Sequence, residues 1–347
     1  MYYTSMEYMG QLYDRTQREY RFQAETPEKF ADWKVRTRAR LREIIGLDCC
    51  TRAESEDAQL LKETDKGTFL QQYWTLQTEP GVYVPFYILR PKTDDPRPMI
   101  LNPHGHGGGK EKTLGDLSKA DVRERYRGGD KTFAVTMAER GYVVVCPDAR
   151  GAGERRERDQ QGENLKKLQE NSHLELLKIG IGFGIAPIGW LVWDLMRLLD
   201  FMERQPYVDA NRIATAGMSG GGHQSLWLGA LDDRIKVIVT SGYFYGMKEA
   251  LLEMPENCPC NYVPYIWKTV DMGDIGALLA PRPFLVESGT YDLLNGKSGI
   301  ENVYSQVEIA RKAYRLFGKG DMPVHSVHNG GHVWMGTDVV PFVENNL

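Results

Sequence analysis

The chain has 347 residues, 41% of them hydrophobic, enough to bury a large core in one decorated α/β domain or in two domains. Its net charge of −4 gives no basic field for holding a phosphate backbone, so nucleic acid is not an expected partner. Five cysteines, an odd number in so long a chain, make no disulfide framework and read as free thiols in a reducing compartment.

The first residues, Met1 to Glu7, have neither a basic nor an apolar leader segment, and no run approaches 18 uncharged apolar residues. A cytoplasmic location without membrane insertion is the expectation. Residues 1–66 are charge-rich and read as a helical extension packed on the main domain. Within them, Thr26-Pro27 looks like an N-cap with proline in the first turn, and Gly46 ends the run. Phe30, Trp33, Val35, Leu41, Ile44 and Ile45 form its apolar side, and Arg36, Arg38, Arg40 and Arg42 read as a solvated face. From Thr68 to Arg90 the pattern alternates and turns at Pro80-Gly81, predicting a β-hairpin, with Pro85 suggesting a sheet edge.

Met99-Ile100-Leu101 is a short buried strand opening into Asn102-Pro103-His104-Gly105-His106-Gly107-Gly108-Gly109. A helix is predicted near Lys131 to Arg140, and Tyr142 to Cys146 has the continuous apolar run of a central parallel strand. An apolar helix over Ile188 to Met202 follows, then the strand Arg212 to Ala216. Further strands are predicted at Ile235–Thr240, Pro283–Glu287 and Pro323–Val327, with a helix over Val303 to Phe317. Alternating elements of this kind predict a doubly wound, mostly parallel α/β sheet over residues 67–347, with ligands beyond the carboxyl ends of its strands. Two stretches, about 154–187 and 243–273, break the alternation and read as insertions at the rim.

Gly217-Met218-Ser219-Gly220-Gly221 lies between a strand and a helix pattern, the setting in which a sharp turn exposes a serine hydroxyl. Such a serine needs a base, a carboxylate to orient the base, and N–H donors for the oxyanion. On a sheet of this kind the chain order is Ser, then Asp or Glu, then His. Of the seven histidines, only His328 and His332 lie in the loop region after the last strand. His332 follows two glycines that let its ring reach the serine, so it is the expected base, while His328 fits a loop histidine bonded to backbone. Asp292, just beyond the strand carrying Glu287, is the expected acid; Glu287 is its alternative. The N–H groups of Gly220 and His106 are the expected oxyanion donors. The glycine loop lacks the spacing of a phosphate loop, and Cys258-Pro259-Cys260 is too isolated for a zinc knuckle. Neither metal nor cofactor is therefore expected.

Together, Pro103 to Gly107, Asp148-Ala149-Arg150-Gly151, the Ser219 pentapeptide, Asp292 and Gly330-Gly331-His332 resemble the α/β-hydrolase superfamily, from about residue 70 to the C-terminus. Within it the chain is similar to the acetyl xylan esterase and dienelactone-hydrolase-like branch of bacterial carbohydrate esterases; Leu278-Leu279-Ala280-Pro281-Arg282-Pro283-Phe284 fits that branch. Leu293-Leu294-Asn295-Gly296 departs from the proline-rich apolar continuation expected after the acid. The resemblance implies cofactor-free ester hydrolysis through an acyl-enzyme, with a small acyl group such as acetyl and a small-molecule ester as partner. Tyr243, Tyr245, Tyr262, Tyr265, Trp267 and Trp334 offer a platform for a sugar ring, or else cover the core. Asp148 and Arg150 are expected to tie their loop to its neighbours. A prolyl-oligopeptidase-type peptidase would need a β-propeller that about 70 preceding residues cannot build. A catalytically inactive binding module would have lost a triad position. Homo-oligomerisation is left open.

Overall fold

A computed structural model describes residues 3–116, 132–162, 170–254 and 256–347. The helices are α1 (Met6–Arg15), α2 (Pro27–Ile45), α3 (Phe133–Glu139), α4 (His173–Phe183), α5 (Pro187–Met202), α6 (Gly220–Leu231), α7 (Ile266–Thr269), α8 (Met272–Ala277), α9 (Ile300–Arg315) and α10 (Val339–Asn346). The strands are β1 (Gln59–Asp65), β2 (Phe69–Glu79), β3 (Val82–Pro91), β4 (Arg97–Leu101), β5 (Val143–Pro147), β6 (Val208–Met218), β7 (Val237–Ser241), β8 (Phe284–Gly289) and β9 (Val324–His328). Among the described residues they form one sheet in the order β1-β2-β3-β5-β4-β6-β7-β8-β9. From β5 to β9 all neighbours are parallel, while β1, β2 and β3 continue the sheet antiparallel.

Strands covered on both faces lose the alternation of half-buried ones, which is why every residue of β5 and β7 is buried and β5 is a continuous apolar run. Val143 and Val145 face a core built with α2, α5, α6, α8 and α9, whereas Val144 and Cys146 face a second core with α3 and α10. The parallel register brings the carboxyl ends of β4, β6, β7 and β8 to one rim, where the loops that follow them can meet.

In α2, the Thr26 hydroxyl accepts from the Lys29 N–H at 3.3 Å, and Gly46 closes the helix with φ of 70°. Phe30, Trp33, Leu41, Ile44 and Ile45 are buried, but Val35 is 69% exposed and falls off the stripe. The arginine run is not simply a solvated face. Arg38 forks onto the Asp233 carboxylate at 2.6 and 2.7 Å and reaches the Ala230 carbonyl, tying α2 to the end of α6.

Two expectations about the edge need correction. The 1–66 extension is not wholly helical, because its residues 59–65 form β1, the true edge strand beside β2. Nearly every β1 residue is exposed, so no in–out alternation marks it in the sequence. The hairpin β2–β3 consequently lies inside the sheet. Pro85 is tolerated there because the β3–β5 ladder starts only at Phe86, leaving Pro85 paired to Thr75 on one side. The 154–187 insertion includes residues 163–169, which lie outside the described residues; its latter part forms α4 and enters α5. The predicted helix near Lys131 to Arg140 corresponds to α3, with Lys131 itself outside the described residues.

Candidate active site

β6 runs into the serine turn and α6 leaves it. Ser219 sits between them at φ 57° and ψ −121°, a conformation costly for a residue with a side chain and retained where the surroundings enforce it. Its N–H donates to the Ser241 carbonyl at the end of β7 (2.7 Å), and its carbonyl accepts from the His223 N–H (2.9 Å). The flanking glycines are there for closeness. A Cβ on Gly217 would lie 2.4 Å from the Gly221 carbonyl carbon, and one on Gly221 would lie 2.1 Å from the Pro103 carbonyl oxygen. Gly217→Ala or Gly221→Ala should therefore cost at least about 1–3 kcal/mol, since backbone meets backbone and neither can yield. Urea denaturation of the two variants checks this.

The loop after β4 runs over the turn. Asn102 Nδ2 donates to the Ala216 carbonyl at 2.5 Å. His104, buried, donates from Nδ1 to the Gly105 carbonyl (2.7 Å) and accepts the Ala149 N–H at Nε2 (3.0 Å). Burial pushes its pKa down to about 4, so it serves as a neutral strut of the loop. Among the described residues, neither the Gly220 nor the His106 backbone N–H donates to a protein acceptor. The His106 ring lies against Gly220, and Gly105 lies against the Ser219 side chain, so both N–H groups belong to segments packed at the turn.

The loops after β8 and β9 are zipped together: the Thr290 N–H donates to His328 O (3.0 Å) and the Tyr291 N–H to Gly330 O (2.9 Å). This clasp places Asp292 Oδ2 2.7 Å from His332 Nδ1, while Asp292 Oδ1 accepts the Leu294 N–H. The Asp292 side chain is 1% exposed and that of His332 18%, so the carboxylate is dry and the ring reaches the surface. Gly242, the residue after Ser241, lies against the ring: a Cβ there would be 3.0 Å from His332 Cε1. The histidine is thus stationed beside the strand end to which Ser219 is bonded.

Glu287 is engaged elsewhere. It accepts the Ser241 hydroxyl (2.7 Å) and the N–H groups of Met335 (3.1 Å) and Gly336 (2.8 Å), fixing the segment after His332. Burial raises its pKa in spite of these donors. His328 closes β9 rather than lying in the loop, and its ring nitrogens have no hydrogen-bond partner among the described residues. His223 is buried and stacked on Tyr243 at 4.5 Å, and burial lowers its pKa to about 3.

The aromatic platform needs correction. Tyr243 and Tyr245 are buried, and the Tyr243 hydroxyl donates to Asn261. Trp334 is buried against Phe133 in the second core. Trp267 packs edge-on to Tyr13 of α1. Tyr243, Tyr245 and Trp334 therefore cover the core, whereas Trp267 is half-buried and lines an apolar cavity with Tyr13, Tyr262 and Tyr265. Tyr265 is exposed beneath Arg40, and the exposed side chains adjoining the acid are Tyr291 (68%), not singled out by sequence, and Leu293 (83%), which opens the departure after the acid.

Two polar clusters have partners that lay beyond sequence reasoning. Asp148 binds buried Lys110 through both the backbone N–H (2.7 Å) and Nζ (3.0 Å), and Arg150 forks onto Asp194 of α5, so both residues do tie their loop. The second cluster is His106, His173, Cys258 and Cys260, whose ligating atoms all lie within 4.8 Å of one another. The hydrogen bond from Cys260, with the nearby His106 and His173 rings, holds the Cys258 thiol well below its usual range despite burial. The pairing of Cys-x-Cys with one histidine in the β4 loop and one at the start of α4 was the available signal.

A family model described as the Abhydrolase family matches residues 2–316. A curated relative, "Putative hydrolase YtaP" of Bacillus subtilis (strain 168), is 30% identical over 227 residues, 64% of this chain and 70% of its own length. Among solved structures, one titled a putative acetyl xylan esterase from Bacteroides fragilis NCTC 9343 is 22% identical with a TM-score of 0.75, over 95% of this chain and 83% of the other. A glucuronoyl esterase from Solibacter usitatus is 15% identical with a TM-score of 0.64, over 92% and 94% of the two chains. These likenesses agree with the sheet order and the strand–turn–helix at Ser219, and the chain belongs to the Abhydrolase family and has the α/β-hydrolase fold.

Proposed function

We propose that the protein is a serine hydrolase of carboxylic esters, acting through an acyl-enzyme on short-acyl, acetyl-type esters of carbohydrates or other small molecules. The observation that carries this reading is the strained Ser219 turn, bonded to the end of β7 against which His332 lies, already paired with a buried carboxylate.

The Ser219 Oγ attacks the ester carbonyl carbon while its proton passes to His332 Nε2. Asp292 accepts the Nδ1–H, which selects the tautomer with a free Nε2 and stabilises the imidazolium that forms. The carbonyl oxygen gains the negative charge and is received by the Gly220 and His106 N–H groups, donors whose orientation is set before the reaction starts. Collapse of the tetrahedral intermediate expels the alcohol, which takes the proton from His332. Water then attacks the acyl-serine, giving a proton to His332; collapse of this second intermediate releases the carboxylic acid as Ser219 Oγ takes the proton back from His332.

The esterases among the structurally similar proteins support ester over amide chemistry and a carbohydrate alcohol. Among the described residues, Tyr243, Tyr245 and Trp334 are closed into the core, so these three rings do not widen the site for a long acyl chain. A panel of p-nitrophenyl esters and acetylated sugars should give the highest kcat/KM with acetyl, falling as the acyl chain lengthens. A maximum at long acyl chains would refute the short-acyl assignment, and no turnover of any ester by folded protein would refute the esterase reading.

A further inference from the structure

Three segments far apart in sequence converge beside the serine turn: the β4 loop with His106, the start of α4 with His173, and the 243–273 insertion with Cys258 and Cys260. His106 Nε2 lies 3.1 Å from Cys260 Sγ, His173 Nδ1 lies 3.1 Å from Cys258 Sγ, and the two sulfurs are 3.2 Å apart. A tetrahedral zinc site with two sulfur and two nitrogen ligands has ligand–ligand edges of about 3.3–3.8 Å. These three edges are a few tenths of an ångström shorter, and all four ligating atoms lie within 4.8 Å of one another. The sulfurs are too far apart for a disulfide bond.

We propose that His106, His173, Cys258 and Cys260 bind one soft, tetrahedral divalent cation, zinc by chemistry, in a closed structural site. Two thiolates with two imidazoles select zinc over magnesium or calcium, which prefer oxygen ligands. Four protein ligands leave no position for water or substrate, so the metal holds the fold rather than activating a nucleophile. Binding displaces the two thiol protons to solvent as two S–metal and two N–metal bonds form.

The surrounding contacts orient the ligands. His173 donates from Nε2 to the Arg150 carbonyl at 3.0 Å, which leaves the Nδ1 lone pair facing Cys258. The Cys258 N–H donates to Asn257 Oδ1 (2.8 Å), while Asn261 Nδ2 reaches the Cys258 carbonyl (3.0 Å) and Asn261 Oδ1 accepts the Tyr243 hydroxyl (2.6 Å). The cysteine turn is therefore set from several sides. On the other flank, a Cβ on Gly220 would lie 2.9 Å from the His106 ring. A metal fixing that ring would also fix the backbone of the loop over Ser219. That last consequence for activity rests on the esterase reading; metal binding does not.

The test is the metal content of the full chain, expressed with zinc and desalted, followed by cobalt titration after chelation and phosphine reduction. About one equivalent of zinc per chain is expected, with tetrahedral cobalt d–d bands, a thiolate charge-transfer band, and a lower melting temperature after chelation. Cys258→Ser and Cys260→Ser should each abolish stoichiometric retention, whereas Cys49→Ser and Cys50→Ser should keep it. Folded wild type holding under about a tenth of an equivalent and giving no cobalt–thiolate band overturns the proposal. Retention unchanged in both Cys258 and Cys260 variants overturns it equally. Loss of Ser219 reactivity with zinc retained would count against the hydrolase reading alone.

Discussion

Ser219→Ala is expected to lower p-nitrophenyl acetate turnover by at least about 10⁴-fold and to abolish labelling by a fluorophosphonate probe, with the fold intact. The alanine keeps the backbone turn and the unused N–H donors of Gly220 and His106, so any residual rate reports polarisation of the ester without a nucleophile. Asp292→Asn should cost about 10⁴-fold. An asparagine amide at that place presents a donor where the Nδ1–H now points, favouring the tautomer in which Nε2 carries the proton and can no longer receive one. The informative control is Glu287→Gln. Its partners are Ser241, Met335 and Gly336, so the variant should lose about 1–3 kcal/mol of stability from a mismatched N–H while turnover stays far nearer to wild type. The reverse outcome, with Glu287→Gln inactive and Asp292→Asn active, would transfer the acid role. Labelling that survives in Ser219→Ala would remove the nucleophile from Ser219.

The parts of the site that follow chain order were legible, because geometry there is dictated by topology. A parallel sheet delivers the ends of β6, β8 and β9 to one rim, and Ser219, Asp292 and His332 each sit just beyond a strand end. Gly217 and Gly221 were readable because close backbone approach admits only glycine. Partners that depend on convergence of loops were not. His106 and Cys260 are 154 residues apart and Arg150 and Asp194 are 44 apart, and no periodicity connects either pair. The isolation of Cys258-Pro259-Cys260 in sequence concealed the histidines that the fold brings to it. The aromatic residues of 243–273 misled for a different reason. A large apolar ring can close a core or present a face, and burial decides which. β1 escaped because an exposed edge strand carries no buried face to set a pattern.

Asp194→Ala carries the largest expected effect on stability, about 3–5 kcal/mol. Asp194 is buried on α5 and accepts Arg150 Nε and Nη2 at 3.1 and 2.7 Å, Arg155 Nη1 at 2.8 Å and the Thr78 hydroxyl at 2.6 Å. Removing it takes away the carboxylate shared by two buried guanidiniums and leaves Arg150 with Glu79 at 2.6 Å. Burial alone would raise the Asp194 pKa, but Arg150 and Arg155 override it and bring it down to about 2. A carboxyl depressed in the folded state stabilises the fold above its unfolded pKa near 3.9, and that contribution fades as pH falls through about 2. Urea titrations should therefore show the deficit of Asp194→Ala in full at pH 7 and narrowing below pH 4. A deficit under about 1 kcal/mol at pH 7 would mean that water already solvates the arginines. The same Arg150 presents its carbonyl to His173, so loosening this network should also lower zinc retention. A variant distant from the four ligands would then couple fold stability to the metal through one backbone oxygen.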